Sequence, residues 1–408
     1  MSQKYFVKMN YLNHVIAGMT RNLICLLRIA GQACNDELIR RFCINIILVV
    51  FSFFATSALF GQSFQYRSKY PDIPIVDVHS HASQSCYDNL KIVSETIKQK
   101  YGSNLVFWIS LSPSNPATKH TVADRMLFAV YGTDGKFDGD IPPKPYNAYE
   151  GVGVGNYAEE VIRKVKNDGY VGIKIHFGLL SVLRRTPEQV FFTKLDDPRL
   201  APLFSRLEEE NILMTSLHIA EPNGPFDKRP TDPYLRVLTH NDPVFFWGQI
   251  RSFENVLAKY PNLTIVAAHA AYLFAQDAQV DYLRYLLSTY PNLYLDISVI
   301  TFHMHYLSRD NFRHFFIEYQ DRLLFGMDYG TVPDNRIGNF AEAYAKFFAA
   351  LETDEVINLG YFGNIPTQGL DLPREVLENI YYRNALKLYP GLRKAMEPFI
   401  PLEEVKTE

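Results

Sequence analysis

Six metal-friendly residues each close an apolar run of strand length: His79 with His81, Lys174, His218, His269 and Asp328. The first pair ends IPIVDVHSH (73–81), and residues two apart in a strand point to one face, so both imidazoles aim at one spot. Lys174 lies in VGIKIH (171–176), His218 ends ILMTSLH (212–218), His269 ends LTIVAAH (263–269), and Asp328 follows RLLFG (322–326). Polar residues at the carboxyl ends of successive buried strands are how a parallel α/β barrel assembles an active site. The ordering of all six along the chain carries this reading, because a lone His-x-His is weak among 11 histidines.

The remaining pattern agrees. From Pro71 on, strand-like segments at 73–79, 104–111, 148–154, 171–176, 212–218, 263–269, 292–297 and 322–327 alternate with amphipathic ones at 156–169, 200–211, 251–262 and 280–292. Eight strands alternating with helices imply a parallel sheet, and this length favours closure into a (β/α)8 TIM barrel over an open sheet. Runs such as IPIVDV and LTIVAA are continuously apolar, as strands buried on both faces must be. Two tracts, 112–147 and 219–250, follow strands and read as long loops on the catalytic face. GVGVG (151–155) fails the dinucleotide spacing and reads as part of a glycine-bearing strand.

A chain of 408 residues with 47% hydrophobic and 21% charged residues has enough apolar material for a single large core. The net charge of −3, with no basic stripe, gives no electrostatic case for nucleic acid. The many aromatics read as core filling. Residues 44–61 are uncharged and apolar, with Arg40 and Arg41 before them and small residues ahead of Gln62. This is the pattern of a secretory signal, with an uncleaved membrane anchor as its rival. Residues 1–62 are therefore set apart from the barrel at 71–395 and a tail at 396–408, and the expected location is periplasmic or secreted. Only Cys86 of the four cysteines lies beyond the signal, which leaves the mature chain no internal disulfide framework.

The ligand types suit a catalytic divalent ion. Neutral imidazole and carboxylate bind borderline cations, zinc by preference, and such sites keep a position open for water. His79, His81, His218 and Asp328 converge as ligands at the barrel axis in this reading. Asp328 also takes a proton from water, and His269 stands beside it as base or orienting group. Lys174 and His176 share a face and are assigned to substrate. Asp77, facing away, has a supporting role. Arg184 and Arg185, and the pair His303 and His305, read as solvated loop or helix-start residues.

These residues bring the chain to a resemblance. VDVHSH (76–81), GIKIH (172–176), LHIAEP (217–222), YPNLTIVAAHA (260–270), YPNLYLDIS (290–298), LLFGMDYG (323–330) and NIYYRNALKLY (379–389) are similar to the amidohydrolase superfamily. Within it, the chain resembles the amidohydrolase-related family (amidohydrolase 2) that includes aminocarboxymuconate-semialdehyde and resorcylate-type decarboxylases. The resemblance spans about 71–390. It implies one metal held by His79, His81, His218 and Asp328, with His269 assisting catalysis. Binuclear members of the superfamily carboxylate a lysine where Lys174 stands, so a bridging role is the alternative for that residue. The family's His-x-Gly-Gly reads His269-Ala-Ala-Tyr here, and its Ser-Asp-x-Pro reads Met327-Asp328-Tyr329-Gly330.

The function expected is a metal-dependent hydrolase cleaving an amide, ester or lactone of a small molecule. A non-oxidative decarboxylase of an aromatic or unsaturated acid, and a non-catalytic metal-retaining barrel, are the alternatives. The expected partner is a small-molecule substrate, with a homo-oligomer allowed and membrane contact only through a retained N-terminal segment.

Overall fold

A computed structural model describes residues 64–82, 87–111, 125–130, 154–177, 194–220, 243–330, 332–360 and 363–402. The chain divides into two compact units, Met1–Gln65 and Tyr66–Glu408, and the second holds every strand and helix named below. The apolar segment 44–61, Cys86, Arg184 and Arg185 lie outside the described residues. Among the described residues no helix is long and apolar enough to cross a membrane.

The second unit alternates strand and helix: β1 (Pro74–Ser80), α1 (Tyr87–Tyr101), β2 (Asn104–Ser110), β3 (Met126–Phe128), α2 (Val154–Asp168), β4 (Ile173–Phe177), α3 (Ala201–Glu209) and β5 (Met214–Ile219). It continues with α4 (Pro243–Lys259), β6 (Ile265–Ala267), α5 (Asp277–Thr289), β7 (Leu293–Asp296), α6 (Arg309–Glu318), β8 (Leu323–Leu324) and α7 (Ile337–Glu352). Beyond α7 come an antiparallel hairpin, β9 (Val356–Leu359) with β10 (Ile365–Gln368), and the short helices α8 (Arg374–Glu378), α9 (Asn384–Leu388) and α10 (Leu392–Met396).

Strands β1 to β3 pair in parallel, as do β4 to β8. Two seams join these sheets. At one, Val130 N–H donates to Gly172 O at 2.8 Å and Lys174 N–H to Val130 O at 2.8 Å. At the other, Val78 N–H donates to Phe325 O at 2.9 Å, Asp328 N–H to His79 O at 2.7 Å and His81 N–H to Tyr329 O at 2.7 Å. Each of β1 to β8 thus finds a parallel neighbour on each side, and the sheet closes into the expected barrel. Closure buries both faces: all seven residues of β1 and all six of β5 are buried. The helices cover the outside with one apolar face each. In α2 the buried residues Tyr157, Ala158, Val161 and Ile162 recur at helical spacing.

The third strand departs from the sequence reading. It is Met126–Phe128, inside the tract taken for a loop, whereas Val154 opens α2 instead of ending a strand at 148–154. Met126–Phe128 runs on into Ala129 and Val130, a short apolar run with no alternation to mark a strand. Likewise α4 begins at Pro243, within the second tract taken for a loop, because proline is well tolerated in a helix's first turn.

Candidate metal centre at the mouth of the barrel

The candidate side chains gather where the carboxyl ends of β1, β4, β5, β6, β7 and β8 meet. Gly326 permits the tight seam between β8 and β1, since a Cβ there would stand 2.8 Å from His79 Cβ. Asp77 locks the same seam from below: its Oδ1 accepts from the backbone N–H groups of His79 (2.9 Å) and Met327 (3.1 Å). Its Oδ2 accepts from the Tyr344 hydroxyl at 2.5 Å. Burial pushes this carboxyl up to about 6 despite those donors.

Three groups come closest together. Asp328 Oδ1 lies 3.3 Å from His79 Nε2 and 3.1 Å from His81 Nε2. Ligand atoms about 2.1 Å from a tetrahedral first-row divalent ion stand roughly 3.4 Å from one another, so the spacing fits a shared ion. His79 is fully buried, while the side chains of His81 and Asp328 are 27% and 31% exposed, which opens the cluster to solvent on one side. A second compact set is His79, His269 and Asp296. There His79 Nδ1 is 2.9 Å from Asp296 Oδ2, and the His269 backbone N–H donates to Asp296 Oδ1 at 3.2 Å. The contact at His79 Nδ1 has hydrogen-bond length, so Asp296 acts on the far side of the ring and leaves Nε2 facing Asp328.

His269 Nε2 lies 3.8 Å from Asp328 Oδ2, and its Nδ1 is 2.7 Å from Ser298 Oγ. His218 stacks on His176 with ring centroids 4.0 Å apart and meets the His269 ring edge-on at 5.0 Å. It is thus beside the centre, but the tight clusters among the described residues do not include it. Lys174 is buried, donates to Ser216 Oγ at 2.8 Å and stands 3.4 Å from His79 Nε2. The structure therefore brings every one of the expected site residues to one end of the barrel.

Electrostatics suit a cation. Burial, reinforced by Lys174, holds His218 down at about 3, and burial keeps His81, His176 and His269 below the ordinary imidazole value. Burial lowers Lys174 to about 8, with Asp328 and Asp296 resisting. Burial would raise Asp328, but His79, His81 and His269 hold it well below the usual carboxylate range. His79 is the exception. Burial and Lys174 push it down, yet Asp296 and Asp328 outweigh them and hold it above its ordinary value. Neutral imidazoles around an ionised carboxylate are the form in which these groups bind a metal.

Two participants escaped the sequence reading, Asp296 and Ser298. Asp296 closes the buried strand β7 just as His269 follows β6, so the rule that found the others applied to it as well. His303 corrects another expectation. It is buried against Phe274, with centroids 5.4 Å apart, instead of solvated. A cavity of about 530 Å³ lies alongside, bounded by Val299, Met327, Tyr329 and Lys346, and none of the candidate metal ligands lines it.

The barrel and this centre define a class of TIM-barrel proteins with a candidate divalent-metal site at the strand ends. The amidohydrolase 2 family model matches residues 76–391, and the chain belongs to that amidohydrolase family. No curated protein matches it in sequence. Similar solved structures include an uncharacterised TIM-barrel protein from Bordetella bronchiseptica, at 15% identity and TM-score 0.39, covering 79% of this chain and 99% of that one. Another is a dihydroxybenzoic acid decarboxylase from Polaromonas with bound manganese, at 13% identity and TM-score 0.42, covering 82% and 100%. A 5-carboxyvanillate decarboxylase from Sphingomonas paucimobilis aligns at 13% identity and TM-score 0.37, covering 80% and 99%.

Proposed function

We propose that this protein is a hydrolase that uses one divalent metal ion, zinc by ligand preference, to cleave an amide, ester or lactone bond of a small molecule. One observation carries the reading: His79, His81 and Asp328 point their donor atoms at one place, with His269 Nε2 close by. His218 supplies a further imidazole from β5. When bound, the ion supplies Lewis acidity, polarising a carbonyl and making a water acidic enough to ionise near pH ~7. The chain's own part is proton handling and positioning. Asp328, ionised, accepts the proton of the attacking water at the carboxylate oxygen nearer His269. His269, neutral at physiological pH, carries that proton onward to the leaving group. Lys174 and His176 line the inner wall and hold the substrate's polar end.

A second reading, non-oxidative decarboxylation, draws on Lys174 alone, a buried amine 3.4 Å from His79 Nε2 and a natural anchor for a carboxylate. Export through residues 44–61 belongs to the same proposal and is checked by N-terminal sequencing of protein recovered from outside the cytoplasm.

The test is metal analysis of reconstituted protein followed by a panel of amides, esters, lactones and hydroxybenzoates. One divalent ion per chain with turnover of esters, lactones or amides is expected. Protein that holds no ion after reconstitution overturns the proposal, and carbon dioxide release from hydroxybenzoates alone transfers it to the second reading.

A further inference from the structure

We infer that Asp296 fixes the proton positions on two imidazoles at once, directly on His79 and through the Ser298 hydroxyl on His269. Asp296 is a positioning residue in this account, as is Ser298. The inference rests on reading His79 as a ligand and His269 as a proton carrier, but its geometry is independent of them.

The protons can be counted one contact at a time. Asp296 is buried, and its Oδ1 accepts two backbone N–H groups, from Ser298 and His269, which leaves that oxygen an acceptor only. Its Oδ2 lies 2.9 Å from His79 Nδ1, which also stands 3.2 Å from Ser298 Oγ; imidazole is the stronger base than carboxylate, so the shared proton rests on that nitrogen. Its Oδ1 accepts from the backbone N–H groups of Ser298 (3.0 Å) and His269 (3.2 Å), and it also makes a short contact with Ser298 Oγ. Two oxygens in contact need a proton between them. Oδ1, already accepting two N–H groups, carries none, so the serine hydroxyl must give its only one to Asp296.

That commitment decides the state of His269. Its Nδ1 is 2.7 Å from Ser298 Oγ, whose proton is already spent, so Nδ1 must be the donor. A neutral His269 protonated at Nδ1 presents a bare Nε2, the atom that lies 3.8 Å from Asp328 Oδ2. Had Ser298 been alanine, nothing in this set of contacts would choose between the tautomers. The backbone reinforces the arrangement, because one carboxylate oxygen receives the His269 N–H and so ties the turn after β6 to the end of β7. A single aspartate thus aims the lone pairs of both rings at the centre. The pairing of a ligating histidine with an outer carboxylate has a general precedent in metal sites. The serine relay to a second, non-ligating ring is what this structure adds.

The test uses full-length, zinc-loaded protein labelled with 15N-histidine, with His269→Gln to assign its signals. Long-range 15N–1H spectra at neutral pH are expected to show His269 as the Nδ1–H tautomer. In Ser298→Ala that signature is expected to give way to Nε2–H or a mixture. Metal content should stay unchanged and kcat should fall at least about tenfold with little change in KM. Asp296→Asn should weaken zinc binding about 10- to 100-fold in a chelator competition, which requires no turnover. A wild-type His269 protonated at Nε2, or an Nδ1–H signature that survives in Ser298→Ala, overturns the inference. An Nδ1–H signature in a protein that turns over none of the panel supports the inference while it overturns the hydrolase reading.

Discussion

Asp328 adopts φ 61, a left-handed backbone that a non-glycine residue seldom takes, at the point where its N–H bonds to His79 O. That conformation turns the carboxylate back over the end of β1, so that one oxygen meets both His79 and His81. Because the main chain makes the seam, Asp328→Asn should leave the barrel folded while it removes the charge that neutral imidazoles cannot replace. Turnover is expected to fall by at least about a hundredfold with an unchanged circular dichroism spectrum. The neighbouring residues separate by role. His218→Ala should lower metal content, as loss of one of few ligands cuts affinity steeply. Lys174→Ala should leave one ion per chain and reduce turnover instead. Metal analysis and kinetics on the two variants check this, and two ions per chain, both lost in Lys174→Ala, would establish the bridging lysine.

Among the elements, the turn after β6 is the most strained. His269, Ala270, Ala271 and Tyr272 all have positive φ, between 47° and 57°, and none is glycine. A left-handed L-residue costs about 1–2 kcal/mol, whereas glycine takes the same conformation without clash but loses roughly 0.5–1 kcal/mol of chain entropy. Ala270→Gly is therefore expected to stabilise the fold by about 1 kcal/mol, read as a rise in the urea midpoint. Differences between elements also explain what was legible in the chain. His79, His218 and His269 stand out because each ends a buried apolar run, where a polar group needs a reason. Asp296 obeyed the same rule yet lay hidden in LYLD, a four-residue strand ending in a residue common at turns. β3 lies in MLFAV (126–130), a short apolar run inside a tract otherwise rich in turn residues. Three residues hold no alternation, and what makes them a strand is pairing with Trp108, Ile109 and Ser110 of β2, a tertiary fact.

At the scale of the whole molecule, an ion bound only to the folded state adds stability by mass action. The gain is about 4 kcal/mol when free metal stands a thousandfold above its Kd. Chelation is expected to lower the melting temperature and re-addition to restore it, as calorimetry would show. A second global effect comes from Glu352, buried at the end of α7. Its Oε2 accepts from Tyr66, Ser68 and the Lys69 N–H, and its Oε1 from Tyr381. Burial raises this carboxyl above its ordinary value even so. The folded state thus holds the proton more tightly than the unfolded one. Stability from this group is complete below the ordinary glutamate value, about 4.3, and is lost as pH rises through the raised folded value. Melting temperatures measured from about pH 4 to pH 8 should show Glu352→Gln gaining on wild type as pH increases.

The seam between β8 and β1 joins residues 250 positions apart, Met327 N–H donating to Asp77. While the polypeptide is still emerging from the ribosome, His79 of β1 and His81 just beyond it are made long before the aspartate that completes their site. No half-made chain can gather the three donors, and the loop that must close makes the last strand's arrival a slow, late event. Capture of an ion by all three donors would therefore report on a closed barrel, whatever chain is still to follow.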